Sequence, residues 1–225
     1  MTEIKIDRLI RSHRKTIGLM ITQDARLIVR APFFATADLI HLLIERKKSW
    51  ITAKQDYFKQ RQAGALVRNF VAGEQFLFLG QNYPLVVAED IPKAVVFDHS
   101  LMISSMVLGN AKDHLECWYK DQALEYITRK AQYYAHVTGF KYRSIRINSA
   151  KTRWGSCGHK NVLNFTWRLI MAPSRVVDYV IIHELVHLKQ RDHSRQFWEK
   201  VGQIIPDYKK DEKWLKMNGH LLAWE

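Results

Sequence analysis

Seven residues, Ile181-Ile182-His183-Glu184-Leu185-Val186-His187, constrain this chain more than any others. They set H-E-x-x-H inside an apolar, helix-compatible run. On an α-helix, positions i and i+4 lie on one face, a single turn apart. Two imidazoles placed that way can point at one zinc ion. Glu184, beside His183, can reach a water held by that ion and take its proton. The flanking Val176, Val177, Val180, Ile181, Leu185 and Leu188 repeat at helical spacing. Pro173-Ser174 reads as the helix start, with Ser174 as N-cap. The competing interpretation is an amphipathic core helix carrying two satisfied histidines.

A catalytic zinc site needs a third protein ligand and leaves one position open for water. His193 is the nearest candidate. A continuing helix would carry it off the metal-facing side, so the chain must turn between Leu188 and Asp192. The segment Lys189-Gln190-Arg191-Asp192 is polar and permits a turn, although no glycine forces one. The rival ligand is a downstream carboxylate, Glu199 being the closest.

Several segments together are similar to the YgjP-like metallopeptidases, relatives of the SprT-like and WLM zincins. They are Lys151-Thr152-Arg153-Trp154-Gly155-Ser156-Cys157, Leu163-Asn164-Phe165, Asp178 through Leu188, and His193-Ser194-Arg195-Gln196-Phe197-Trp198. Pro206-Asp207-Tyr208-Lys209 and Trp214-Leu215 continue the similarity. It is strong over residues 112–225 and weaker before them. The resemblance implies a compact zincin domain, with His183, His187 and His193 as ligands of one zinc ion per chain and Glu184 as the base. It leaves the substrate open.

Composition fits a folded chain. Of 225 residues, 47% are hydrophobic and 12% aromatic, enough for a core and too many for disorder. The first residues hold no apolar signal core, and no apolar run approaches a membrane span, so no membrane partner is expected. Only Cys117 and Cys157 are present, which argues against a disulfide framework and for the reducing cytoplasm. Cys157 reads as a buried, inert thiol. The formal net charge is +13. Such a field attracts polyanions. Basic residues cluster at Arg8, Arg11, Arg14 and Lys15, at Arg46, Lys47 and Lys48, and at Lys141, Arg143, Arg146, Lys151 and Arg153. Trp50, Tyr57 and Phe58 lie near the second cluster. Nucleic acid is one partner for these patches, and a merely solvated basic face is the other reading.

The expected fold is α+β. A β-rich region with one long helix fills residues 1–110, and a zincin-like domain fills 111–225. Strands are expected at 4–10, 16–22 and 26–30, with a turn at Gln23-Asp24-Ala25. One long helix should run from Thr36 to Gln62. A hairpin at 73–89 should turn at Gly80-Gln81-Asn82, followed by a strand pair at 93–98 and 101–104. In the second half the order is a helix at 115–136, strands at 144–149 and 161–169 flanking a Trp154–Cys157 turn, the motif helix, and a helix near 194–203. Residues 161–165 read as the edge strand, open to strand addition by a peptide.

Metal-assisted hydrolysis is the expected chemistry, with Glu184 carrying the proton. Tyr208 and His220 are candidates to stabilise an oxyanion, and Arg153, Asn164 and Tyr208 are candidates to bind substrate. Three function classes stay open: a peptidase acting on peptide or protein, a phosphohydrolase acting on nucleoside triphosphates, and a nucleic-acid-associated protein with structural zinc. No P-loop is present for the second, and a purely structural site needs no Glu184.

Overall fold

The computed structural model describes residues 4–22, 24–63 and 68–223. It is a mixed α+β structure that divides into two compact units, Met1–Leu66 and Val67–Glu225. No described helix is long and apolar enough to cross a membrane.

The first unit is a three-stranded sheet with two helices. Strands β1 (Arg8–Ser12), β2 (Gly18–Ile21) and β3 (Leu27–Pro32) take the order β1-β3-β2. β3 is parallel to β1 and antiparallel to β2. Leu27, Val29 and Ala31 alternate into the core, as one buried sheet face requires. The turn before β3 uses Ala25 with φ 58°; Gln23 lies outside the described residues. Where one long helix was expected there are two, α1 (Ala37–Arg46) and α2 (Lys48–Ala63). The Thr36 hydroxyl accepts the Leu39 N–H and caps α1. The break is at Lys47, with φ −105° and ψ 11°, inside the run Arg46-Lys47-Lys48, where no glycine or proline marks it. Ile40, Ile44 and Ile51 close the core beneath the sheet.

The second unit begins with four strands, β4 (Gln75–Phe78), β5 (Gln81–Ala88), β6 (Val95–Asp98) and β7 (Ser100–Ser104), in the order β4-β5-β7-β6. The β4–β5 hairpin turns at Leu79-Gly80, earlier than expected. Both residues have positive φ, 48° and 83°, the conformation of a two-residue turn that follows the strand twist. Helix α3 (Ala111–Thr138) comes next and stops at Gly139, φ 69°. Strands β8 (Ser144–Asn148), β9 (Gly155–Cys157) and β10 (Val162–Thr166) form a second sheet of order β8-β10-β9. Helices α4 (Ser174–Val186), α5 (Arg195–Ile204) and α6 (Tyr208–Asn218) complete the unit.

Other expectations change as well. The contacts divide the chain at Leu66/Val67 and not near residue 110, because the four-stranded sheet belongs to the second core. The Tyr119 hydroxyl donates to Leu77 O at 2.7 Å, and Leu79 and Gly80 N–H donate to Ile170 and Met171 O. The edge strand is not 161–165: β10 is central, and the Trp154–Cys157 turn is itself partly the edge strand β9. Ser174 is the first residue of α4, and Pro173 holds the N-cap position without a side-chain bond. Helix α6 was not anticipated, because only Asp211 and Leu215 are buried along its charged length.

Candidate active site

Helix α4 is buried almost throughout, and its polar side chains are few. Asp178 ties it to α3: its Oδ2 accepts from Lys130 Nζ and from the Tyr134 hydroxyl, both at 3.0 Å. One turn later come His183 and Glu184. The helix ends at Val186, and the chain reverses through Leu188 N–H to Leu185 O and Lys189 and Gln190 N–H to Val186 O. No glycine is needed. The reversal returns His193 to the same side. His183 Nε2 lies 3.2 Å from His187 Nε2 and 3.0 Å from His193 Nε2, and one ligand atom from each imidazole lies within 4.8 Å of the others.

This donor set fits a metal ion. Nitrogens bonded to one zinc at about 2.0–2.1 Å in a tetrahedron are about 3.4 Å apart, close to the spacing here. His187 Nδ1 faces Gln190 O at 3.0 Å, a carbonyl that fixes Nδ1 as the protonated nitrogen and turns the Nε2 lone pair inward. Burial pushes His183 down to about 3, helped by His187 and His193, and burial lowers His187 as well. Both imidazoles are therefore neutral, the form a metal requires. Three imidazoles leave a tetrahedral ion one open position.

Glu184 is only 5% exposed. Burial pushes its carboxyl up to about 8, against the opposing pull of Arg153. Its Oε2 has no hydrogen-bond partner among the described residues. The opposite wall is β9: a β-carbon at Gly155 would lie 2.6 Å from Glu184 Oε1. Gly155 is required for the space it leaves, since its backbone is ordinary. In register, Leu163 faces Cys157 and Phe165 faces Gly155, all on the sheet face that meets α4. Asn164 faces Ser156 and Arg146 on the other side.

Aromatic rings close the remaining side. Phe197 is fully buried, with its ring 4.8, 4.6 and 4.8 Å from the imidazoles of His183, His187 and His193. Trp198 lies 5.8 Å from His183 and 5.7 Å from His193. Tyr208 stacks on Trp198 at 5.3 Å and on Tyr179 at 6.4 Å, and Tyr179 meets His183 edge-on at 6.0 Å.

The structure therefore brings together His183, His187, His193 and Glu184. Arg153 is exposed and close enough to act on Glu184. Tyr208 reaches the histidines only through the Trp198 and Tyr179 rings. Asn164 is not brought to them; its Nδ2 donates to Ser156 O and Val162 O, each at 3.4 Å. Glu199 is paired with Arg195 at 2.7 Å on the surface. His220 sits in a short 3-10 turn, Gly219–Leu222. Sequence reasoning missed Gly155 as the neighbour of Glu184, Gln190 as the partner of His187, and the ring wall. The spacing His193 to Phe197, one helical turn, was the available signal.

Comparison with known proteins gives the family of the chain. Residues 15–218 match the family described as YgjP-like, metallopeptidase domain. No curated protein matches significantly. Among solved structures, the metallopeptidase zymogen of Pyrococcus abyssi abylysin is similar, with 22% identity over 40% of this chain and 90% of that one, and a TM-score of 0.37. A match over nearly the whole chain places it in a family: it belongs to the YgjP-like metallopeptidases.

Proposed function

We propose that the chain is a zinc peptidase of zincin type in which His183, His187 and His193 hold the metal and Glu184 is the general base. The observation that carries this reading is the convergence of three imidazoles, with the buried carboxyl of Glu184 next to His183 in the chain, its Oε2 without a partner among the described residues and its side chain against Gly155 of β9. A zinc ion held there would supply Lewis acidity, polarising the peptide carbonyl and acidifying a water. Glu184 takes the proton of the attacking water and passes it to the leaving nitrogen. Its burial suits this double duty, because a carboxyl pushed up toward neutrality both accepts and returns a proton near pH 7. Strand β9 has one paired side and one open side, so an extended peptide can add to it and lie beside Glu184. Phe197 and Trp198 pack against the imidazoles and hold the three rings in place. Tyr208, stacked between Trp198 and Tyr179, serves as a packing residue of this wall. Arg153 binds the acidic part of a substrate.

The test runs unfolded, alkylated protein and nucleoside triphosphates side by side, with wild type and Glu184→Gln. Fragments from the protein substrate, and a loss of at least about 100-fold in the variant with zinc retained, are expected. Phosphate release without peptide cleavage would move the function to the phosphohydrolase class. DNA or RNA binding with no turnover of either substrate would move it to the nucleic-acid class.

A further inference from the structure

We propose that Arg191 is a positioning residue that fixes the register in which a peptide docks on β9, an inference that rests on the peptidase reading above. In the β9–β10 ladder, Thr166 N–H donates to Trp154 O at 3.0 Å and Gly158 N–H donates to Val162 O at 2.9 Å. Bonded pairs alternate along an antiparallel ladder. Gly155 and Cys157 therefore turn their N–H and C=O groups away from β10, toward the open edge. Gly155 is the residue that touches Glu184.

The carbonyl of Cys157 is already taken. Arg191 Nη1 donates to it at 3.3 Å, to Cys157 Sγ at 3.3 Å and to Gly158 O at 3.2 Å, while Nη2 donates to Asn161 Oδ1 at 2.9 Å. Only a planar fork with several donors reaches all of these acceptors at once. The acceptor turn is itself fixed, with Asn161 at φ 55°, its N–H on Gly158 O and its O on Arg143 N–H. Apart from the approaches of His187 and His193 to His183, the other described side-chain bonds of the 187–194 loop stay inside it: Gln190 Nε2 donates to Asp192 Oδ1 and to Ser194 Oγ, and His187 Nδ1 faces Gln190 O.

Two effects follow from this clamp. A peptide adding to β9 pairs with Gly155 and is stopped before the Cys157 carbonyl, so its ladder cannot slide along the strand. The loop that carries His187 and His193 is also held to the same edge, which keeps the docked backbone and the metal ligands at one spacing.

The test uses the full, zinc-loaded chain and an unfolded, alkylated protein as substrate. Cleavage positions are read by mass spectrometry, with kcat, KM and zinc content alongside. For Arg191→Ala we expect new cleavage positions, displaced by one ladder step of two residues, and a KM raised about tenfold with zinc still bound. Loss of activity with unchanged positions is what a merely structural role would give, and it overturns the proposal, as does an unchanged pattern and KM. Should Arg191→Ala not fold, Arg191→Lys carries the test: it keeps a charge but not the fork, and unchanged positions in that variant overturn the proposal equally. A wild-type chain that cuts no peptide overturns the peptidase reading and this inference with it, whereas an active wild type with an indifferent variant overturns this inference alone.

Discussion

Gly155→Ala should silence the site while sparing the metal. The backbone of Gly155 has an ordinary strand conformation, paired in register with Phe165, so alanine is conformationally acceptable there. What alanine lacks is space. Its β-carbon would lie 2.6 Å from Glu184 Oε1, 2.7 Å from Cγ and 2.9 Å from Cδ, where ordinary contact begins at 3.4 Å. The carboxylate must withdraw by about 0.8 Å. It cannot do so freely, since Glu184 is 5% exposed on a helix buried almost throughout. A misplacement of about 1 Å at a reacting group costs up to about 100-fold in rate, or about 2.7 kcal/mol of transition-state stabilisation. Overpacking adds about 1–3 kcal/mol of lost stability, which lowers Tm by roughly 2–4 °C per kcal/mol for a chain of this size. The assay combines steady-state hydrolysis of unfolded protein, zinc content and thermal unfolding. The expected result is kcat/KM down by about 100-fold, zinc at parental stoichiometry and a modest fall in Tm. A folded variant whose kcat/KM stays within about threefold of the parent would refute the reasoning, because the carboxylate would then tolerate the displacement.

Three further predictions are independent of that one. His187→Ala should abolish stoichiometric zinc, measured by metal analysis after dialysis, and full retention would rule out the three-histidine site. Asp178→Ala should lower stability by about 1–3 kcal/mol in denaturant unfolding, because it strands Lys130 and Tyr134 between α3 and α4; an unchanged midpoint would mean that these bonds add nothing net. Burial pushes the Cys157 thiol up, so near neutral pH it carries less thiolate than an ordinary cysteine. Alkylation of Cys157 near neutral pH should therefore trail that of the exposed Cys117; equal rates for the two thiols would contradict this.

What the sequence disclosed and what it hid divide along physical lines. The H-E-x-x-H spacing is local: His183, Glu184 and His187 fall within the last turn of α4 and its cap, so periodicity alone places them. The return of His193 is nearly local, since polar residues after Leu188 permit the turn and backbone bonds to Val186 make it. Gly155 as the wall against Glu184 was not legible, because the contact joins a strand and a helix through tertiary packing and a glycine leaves no side-chain signal. The edge strand was misassigned for a related reason. Residues 161–165 have the apolar alternation of a strand, but alternation says nothing about neighbours, and β10 is paired on both sides. Asn164 followed it to the wrong face. The break at Lys47 had no local mark, and α6 was hidden because charge predominates over its two inward positions.

The Leu79-Gly80 turn bears on when the metal site can come into being during synthesis. Its N–H groups bond to Ile170 and Met171, and any side chain at Gly80 would strike the Cα of Pro173, where α4 begins. The start of the ligand-bearing helix is thus seated on a hairpin made some ninety residues earlier in the chain. Contacts of that separation form late, after the intervening chain has been ordered. The hairpin leaves the ribosome first and waits, with its carbonyl partners unmade. A fragment beginning at residue 111 would contain His183, His187, His193 and Glu184, yet it would expose the backbone that the hairpin covers. The seating of the helix that carries His183 and Glu184 therefore depends on residues that lie outside the candidate site.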